Sequence, residues 1–174
     1  MVTAKILVFD TSILCVWLKI PGKETCGPED DLWNYQRVAK LITREEKAGS
    51  TFVLPLAAII ETGNHISQCK GDRLGIAQQF SDIILKTADE VSPWAAFIQQ
   101  TDMWNKERLH LLASDWPRLA MQGLSIGDAT IRDVAEFYAK TTIQPVEIVT
   151  GDQQLRAYQP ASAIGGIGKK PRRR

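Results

Sequence analysis

Apolar residues fall along this chain in two rhythms. Ile6 to Phe9 is an unbroken apolar run between Lys5 and the polar triplet Asp10, Thr11 and Ser12. A run without alternation is the mark of a strand covered on both faces, as in a parallel sheet. Thr51 to Leu54 and Val146 to Thr150 repeat the form. Elsewhere the spacing is three and four. Leu32, Tyr35, Ala39 and Ile42 predict an amphipathic helix running to about Lys47, capped by Asp30 or Asp31 and stopped at Gly49.

Further helices are expected at 13–20, ended by Pro21 and Gly22, at 57–66, and at 73–87, where Leu74, Ala77, Phe80 and Ile84 share a face. Ser92 and Pro93 have the chemistry of a helix start. The tryptophan-rich stretch that follows, with Trp94, Trp104 and Trp116, is expected to be helical to Met121 and broken by Pro117. Ser125 and Asp128 have capping-box spacing and open another helix through Tyr138. Gly151 turns the chain after the third strand, and Leu155 and Tyr158 mark a short amphipathic segment. Strands separated by helices predict an α/β fold with a parallel sheet.

Composition adds bounds. The 174 residues, 44% hydrophobic and 24% charged, suit one folded domain over 1–160 followed by a flexible, basic tail over 161–174. Net charge is +1, but Lys169, Lys170, Arg172, Arg173 and Arg174 hold five of the 21 bases. The remainder has 16 bases against 20 acids and a net charge of −4. Such a tail is either a tether that reads nucleic-acid phosphates or a solvated terminus. Cys15, Cys26 and Cys69 form no CxxC pair, which argues against a disulfide framework and a zinc ribbon and suits a cytoplasmic protein. Asp10 interrupts the only signal-like apolar run, and no run approaches the ~20 residues a membrane span needs.

The candidate chemistry lies in four acids. Asp10 sits at the end of the first strand, at the sheet edge where open α/β sheets bind ligands. Glu61 stands about two turns into the helix after the second strand. Asp128 lies just inside a helix start, and Asp152 follows the third strand. Gathered carboxylates repel unless a proton or cation joins them. Oxygen-only ligands select hard cations such as Mg²⁺, and such a site can activate water for phosphodiester cleavage. Each acid also has a plainer reading: Asp10 and Asp152 as turn residues, Glu61 as an exposed helical side chain, Asp128 as a cap.

Other groups offer less. His65 and His110 lack a His or Cys partner at zinc-ligand spacing, although His65 shares a helical face with Glu61. Asp133, five residues past Asp128, is expected at the surface, and the cysteines in the core. There is no nucleophile elbow and no phosphate-binding Walker loop.

Taken in order, residues 9–12, Leu54-Pro55 with Glu61-Thr62-Gly63, Leu124 to Ala129, and Ile148 to Asp152 resemble the ordered signature of PIN-domain ribonucleases, the VapC-type toxins among them. The resemblance spans roughly residues 5–155. It implies a three-layer α/β/α domain with a central, mostly parallel sheet and an acidic pocket for Mg²⁺ or Mn²⁺. It places Asp10, Glu61, Asp128 and Asp152 on the acidic positions and Thr11, Ser12 and Thr150 on the supporting hydroxyls. It further implies an RNA substrate and, for the toxin branch, an antitoxin partner; a homodimer would also suit it. The chain is longer than a compact toxin, in the 21–31 loop and the tryptophan-rich region. A non-catalytic PIN-like binding module is one alternative. A haloacid-dehalogenase-like phosphatase is another, but it wants acids where this chain has Ser12 and Arg156.

Overall fold

The computed structural model describes residues 3–161. All but Ala161 of the expected tail, including Lys169, Lys170, Arg172, Arg173 and Arg174, lies outside them. Strand β1 (Ile6–Phe9) leads into helix α1 (Thr11–Trp17). Two short strands follow, β2 (Thr25–Cys26) and β3 (Trp33–Asn34), then helix α2 (Tyr35–Lys47) and strand β4 (Thr51–Val53). Helices α3 (Leu56–Gln68) and α4 (Arg73–Ala88) come next, then a 3-10 helix (Phe97–Trp104) and α5 (Lys106–Met121). The described chain closes with α6 (Ile126–Thr141), β5 (Val146–Val149) and α7 (Gln153–Arg156).

Strand β1 is the middle of a three-stranded parallel sheet of order β4-β1-β5, with Leu7 opposite Phe52 on one side and Glu147 on the other. Successive β1 side chains point to opposite faces, yet all four are buried, so helices cover the sheet on both sides. This is the expected α/β/α arrangement. Phe9 anchors an aromatic cluster, meeting Phe52 edge-on at 5.2 Å between centroids, with Trp94 at 5.8 Å and Trp17 at 6.3 Å.

Both outer edges of the sheet are covered. Beside β4, Phe52 N–H donates to Pro93 O at 2.7 Å and Ala95 N–H donates to Phe52 O at 2.8 Å. Beside β5, the Gln159 carboxamide accepts from Ile148 N–H and donates to Ile148 O, both at 2.8 Å. At the other end of the strands the Glu45 carboxylate is fully buried. It accepts from Ser50 Oγ at 2.8 Å and from Arg44 at 2.6 Å, while Ser50 Oγ accepts from Lys5 N–H. That chain of contacts fastens α2 to the start of β1.

Several expectations change. Helix α1 begins two residues earlier than its apolar pattern, because Asp10 caps it through Ser12 N–H. Helix α2 is capped by Asn34, since Asp30 and Asp31 belong to a 3-10 turn over Glu29–Asp31. Ser92 and Pro93 do not start a helix, because Pro93 O serves the β4 edge instead. Pro117 does not split α5. Its helix gives up one N–H donor, and buried Leu119 with Trp116 packs against Leu124 and Ala129 around the defect. Asp133 is half-buried and pairs with Arg132 at 2.6 Å. Among the described residues no helix is long and apolar enough to cross a membrane.

Candidate functional site

Asp10 leaves β1 with its backbone still in the ladder, its N–H donating to Val149 O at 3.1 Å. The carboxylate is 3% exposed. Its Oδ2 accepts from Ser12 Oγ at 2.6 Å and Thr150 Oγ1 at 2.7 Å, with a longer contact to Ser12 N–H at 3.4 Å. Burial pushes its carboxyl above the usual carboxylate range, and the Asp128 charge adds to that. The hydrogen bonds from Ser12 and Thr150 pull the other way without cancelling it.

The supporting hydroxyls form a relay across the sheet edge. Thr150 Oγ1 donates to Asp10 and accepts from Asp152 N–H at 2.9 Å. Ser12 Oγ donates to Asp10 and accepts from Gly151 N–H at 3.0 Å. Thr11 Oγ1 donates to Glu61 Oε2 at 3.0 Å, reaching from α1 to α3. Asp128 Oδ2 accepts from Ser125 Oγ at 2.7 Å, so the capping role of this pair is real. Asp152 caps α7, its Oδ1 accepting from Gln154 N–H and Leu155 N–H at 2.7 and 3.3 Å.

Each acid thus spends one oxygen on the protein. Asp10 Oδ1, Glu61 Oε1, Asp128 Oδ1 and Asp152 Oδ2 take no hydrogen bond from the described residues. All four acids line one cavity of about 290 Å³ with Thr11 and Ser12. Among the described residues none of the four forms an ion pair. Two glycines keep the walls close. A Cβ on Gly127 would overlap the Glu61 carboxylate, and one on Gly151 would come within 2.9 Å of Gly27 N.

The same cavity holds further groups, among them His65, which the sequence already put on the helical face of Glu61. Lys23 and Thr25 come from the loop after α1 and from β2; Cys15, Cys26 and His65 also face it. Burial pushes the Cys15 thiol up to about 12 and raises Cys26 as well, so neither is a thiolate near neutrality. Burial, then the Lys23 charge, lowers the His65 pKa and favours neutral imidazole. Nothing in the polar 21–31 loop marks Lys23, because its place is set by the β2–β3 pair and by Asp31, which bonds both Arg37 and Arg156.

An oxygen-rich wall of carboxylates and hydroxyls suits a hard divalent cation. Among the described residues no three His, Cys, Asp or Glu side chains close on a single point as a ready-made metal group. No family model, curated protein or solved structure matches the chain.

Proposed function

We propose that this protein is a PIN-like, divalent-metal-dependent endoribonuclease, with Asp10, Glu61, Asp128 and Asp152 as its acidic site and Mg²⁺ or Mn²⁺ as its cofactor. One observation carries the reading: four carboxylates from four separate elements line one cavity, each with a free oxygen, and none has a cationic partner among the described residues. Such a grouping costs folding free energy unless something positive enters it.

A divalent ion, held by Asp10, Glu61, Asp128 and Asp152, would supply a water acidic enough to react near neutral pH and a positive charge to offset the one that develops on the phosphate. The chain's own residues do the rest. Ser12 and Thr150 hold the Asp10 carboxylate in one orientation, and Thr11 does the same for Glu61. Thr150 also links the Asp10 carboxylate to the Asp152 backbone, so the two acids keep a common register. Lys23 is the cationic side chain on the wall and supplies charge for a phosphate.

The toxin branch of the resemblance adds an antitoxin and a homodimer as partners of this reading. A second reading, a binding module without catalysis, draws on the absence, among the described residues, of a closed three-ligand group.

The test incubates purified protein with single-stranded and structured RNAs in Mg²⁺, in Mn²⁺ and in EDTA, alongside Asp10→Asn. Metal-dependent cleavage that falls by at least about 100-fold in the variant, the scale of losing a catalytic group, supports the nuclease. RNA that binds but stays whole under every condition moves the protein to the binding-module reading.

A further inference from the structure

The tryptophan-rich region has a use beyond packing for one of its members. Trp94 is buried in the aromatic cluster on Phe9 and Trp116 packs beside Leu119, but Trp104 is 37% exposed at the end of the 3-10 helix. That helix is not loose. Buried Gln100, one turn earlier, donates through Nε2 to Leu54 O at 2.9 Å, anchoring it to the segment that leaves β4. Trp104 is therefore a partly exposed aromatic side chain on an anchored helix.

It borders a groove of about 270 Å³ whose other walls include Ile60, Leu112 and Ile126. Ile60 is 55% exposed and Ile126 50%, so the groove is open to solvent. The polar side chains on this wall are Glu61 and Thr130, and the Thr130 hydroxyl already donates to Gly127 O at 2.7 Å. Glu61 and its close neighbour Gly127 form the boundary: the Glu61 side chain lines both this groove and the acidic cavity.

We propose that the groove is a subsite for one unpaired nucleobase, stacked on Trp104, next to the phosphate bound at the acids. The inference rests on the ribonuclease reading above. An apolar slot with an indole wall suits the π-face of a base. A strand with its phosphate at the acidic cavity carries its neighbouring bases past the shared wall. Because the lining has few hydrogen-bonding groups left, the subsite selects for an unpaired base more than for its identity. Paired RNA, whose bases are already stacked, gains nothing there.

The test titrates a labelled single-stranded RNA hexanucleotide in Mg²⁺ against full-length Asp10→Asn protein, alone and combined with Trp104→Ala, Trp104→Phe or Ile126→Ala. Trp104→Ala is expected to weaken binding about 5- to 100-fold, the range for losing one stacked base. Trp104→Phe keeps most of the affinity, Ile126→Ala loses part of it, and duplex RNA is indifferent to all three. Melting curves check that each variant folds. Unchanged affinity in Trp104→Ala, or a change in sedimentation without a change in RNA affinity, overturns the subsite; the second result gives the groove to another copy of the chain. Cleavage of the same oligonucleotide by the unmodified protein separates the two ideas. Cleavage with Trp104-independent binding removes only the subsite, and Trp104-dependent binding without cleavage removes only the hydrolysis.

Discussion

Among the described residues two acidic side chains, Glu45 and Asp10, are almost fully withdrawn from water, and they behave in opposite ways. Glu45, at one end of the sheet, is held below the usual carboxylate range. Burial alone would raise it, but the Ser50 hydroxyl and the Arg44 guanidinium together outweigh that. Asp10, at the other end, has two hydroxyl donors and no cation among the described residues, and burial wins. Neutralised burial fastens a structure, whereas charge left without a counter-ion marks a place that something else must complete. The same sheet therefore has one end where a buried carboxylate is paired with a guanidinium and another where it is held by hydroxyls alone.

That contrast can be broken experimentally. Glu45→Ala should have the largest effect on stability, about 3 kcal/mol, from the cavity it leaves and from the orphaned Ser50 hydroxyl. For a domain of this size that is roughly 6–12 °C in Tm, read by thermal denaturation. A loss under about 1 kcal/mol would mean that the staple is ornamental. Gly127→Ala should leave Tm close to unchanged, because the flexible end of Glu61 can swing away from the new methyl. Cleavage should drop on the order of tenfold, or 1.4 kcal/mol, as the carboxylate is displaced. An active variant would free Glu61 from the reaction.

The smaller effects concern pH. Arg44→Ala removes a guanidinium that is about half exposed, so the cost near neutrality should stay around 1 kcal/mol. The folded pKa of Glu45 is depressed, so its contribution is present above the unfolded value and lost as pH falls through the folded one. The variant should show a shallower acid limb in a Tm-against-pH series. Asp10 has the reverse sign. Its folded pKa is raised, so its contribution is complete below the unfolded value and disappears as pH rises through the folded one. Asp10→Asn should erase that decline and give an equal or slightly higher Tm at pH 7 in EDTA. A large fall in Tm would assign Asp10 a structural task.

Much of this layout was legible in the residues. The unbroken apolar run at Ile6–Phe9 is a strand covered on both faces, whereas β5 carries the partly exposed Glu147; the helix over Arg73–Ala88 forms where its spacing places it, but it buries Ile76, Phe80, Ile83 and Thr87 and leaves Leu74 exposed. Asp10, Glu61, Asp128 and Asp152 were legible as candidates because strand ends and helix starts locate side chains well from local pattern alone. What escaped was set by distant contacts. Strands β2 and β3 are two residues each and exist because Cys26 pairs with Trp33, so Lys23 could not be assigned to the cavity from its own neighbourhood. Pro93 has the chemistry of a helix start, and its carbonyl is claimed instead by Phe52. Nothing near Glu45 in the sequence announces that Ser50 folds back onto it.

Gln159 sets the width of the molecule's β-structure. An uncovered strand margin invites another chain to add itself and propagate, the first step toward aggregation. Here a single carboxamide offers Ile148 the one donor and one acceptor that an incoming strand would bring. At Ile148 a side chain takes the place that a fourth strand would hold, and the residue that does so is exposed and adds nothing to the core.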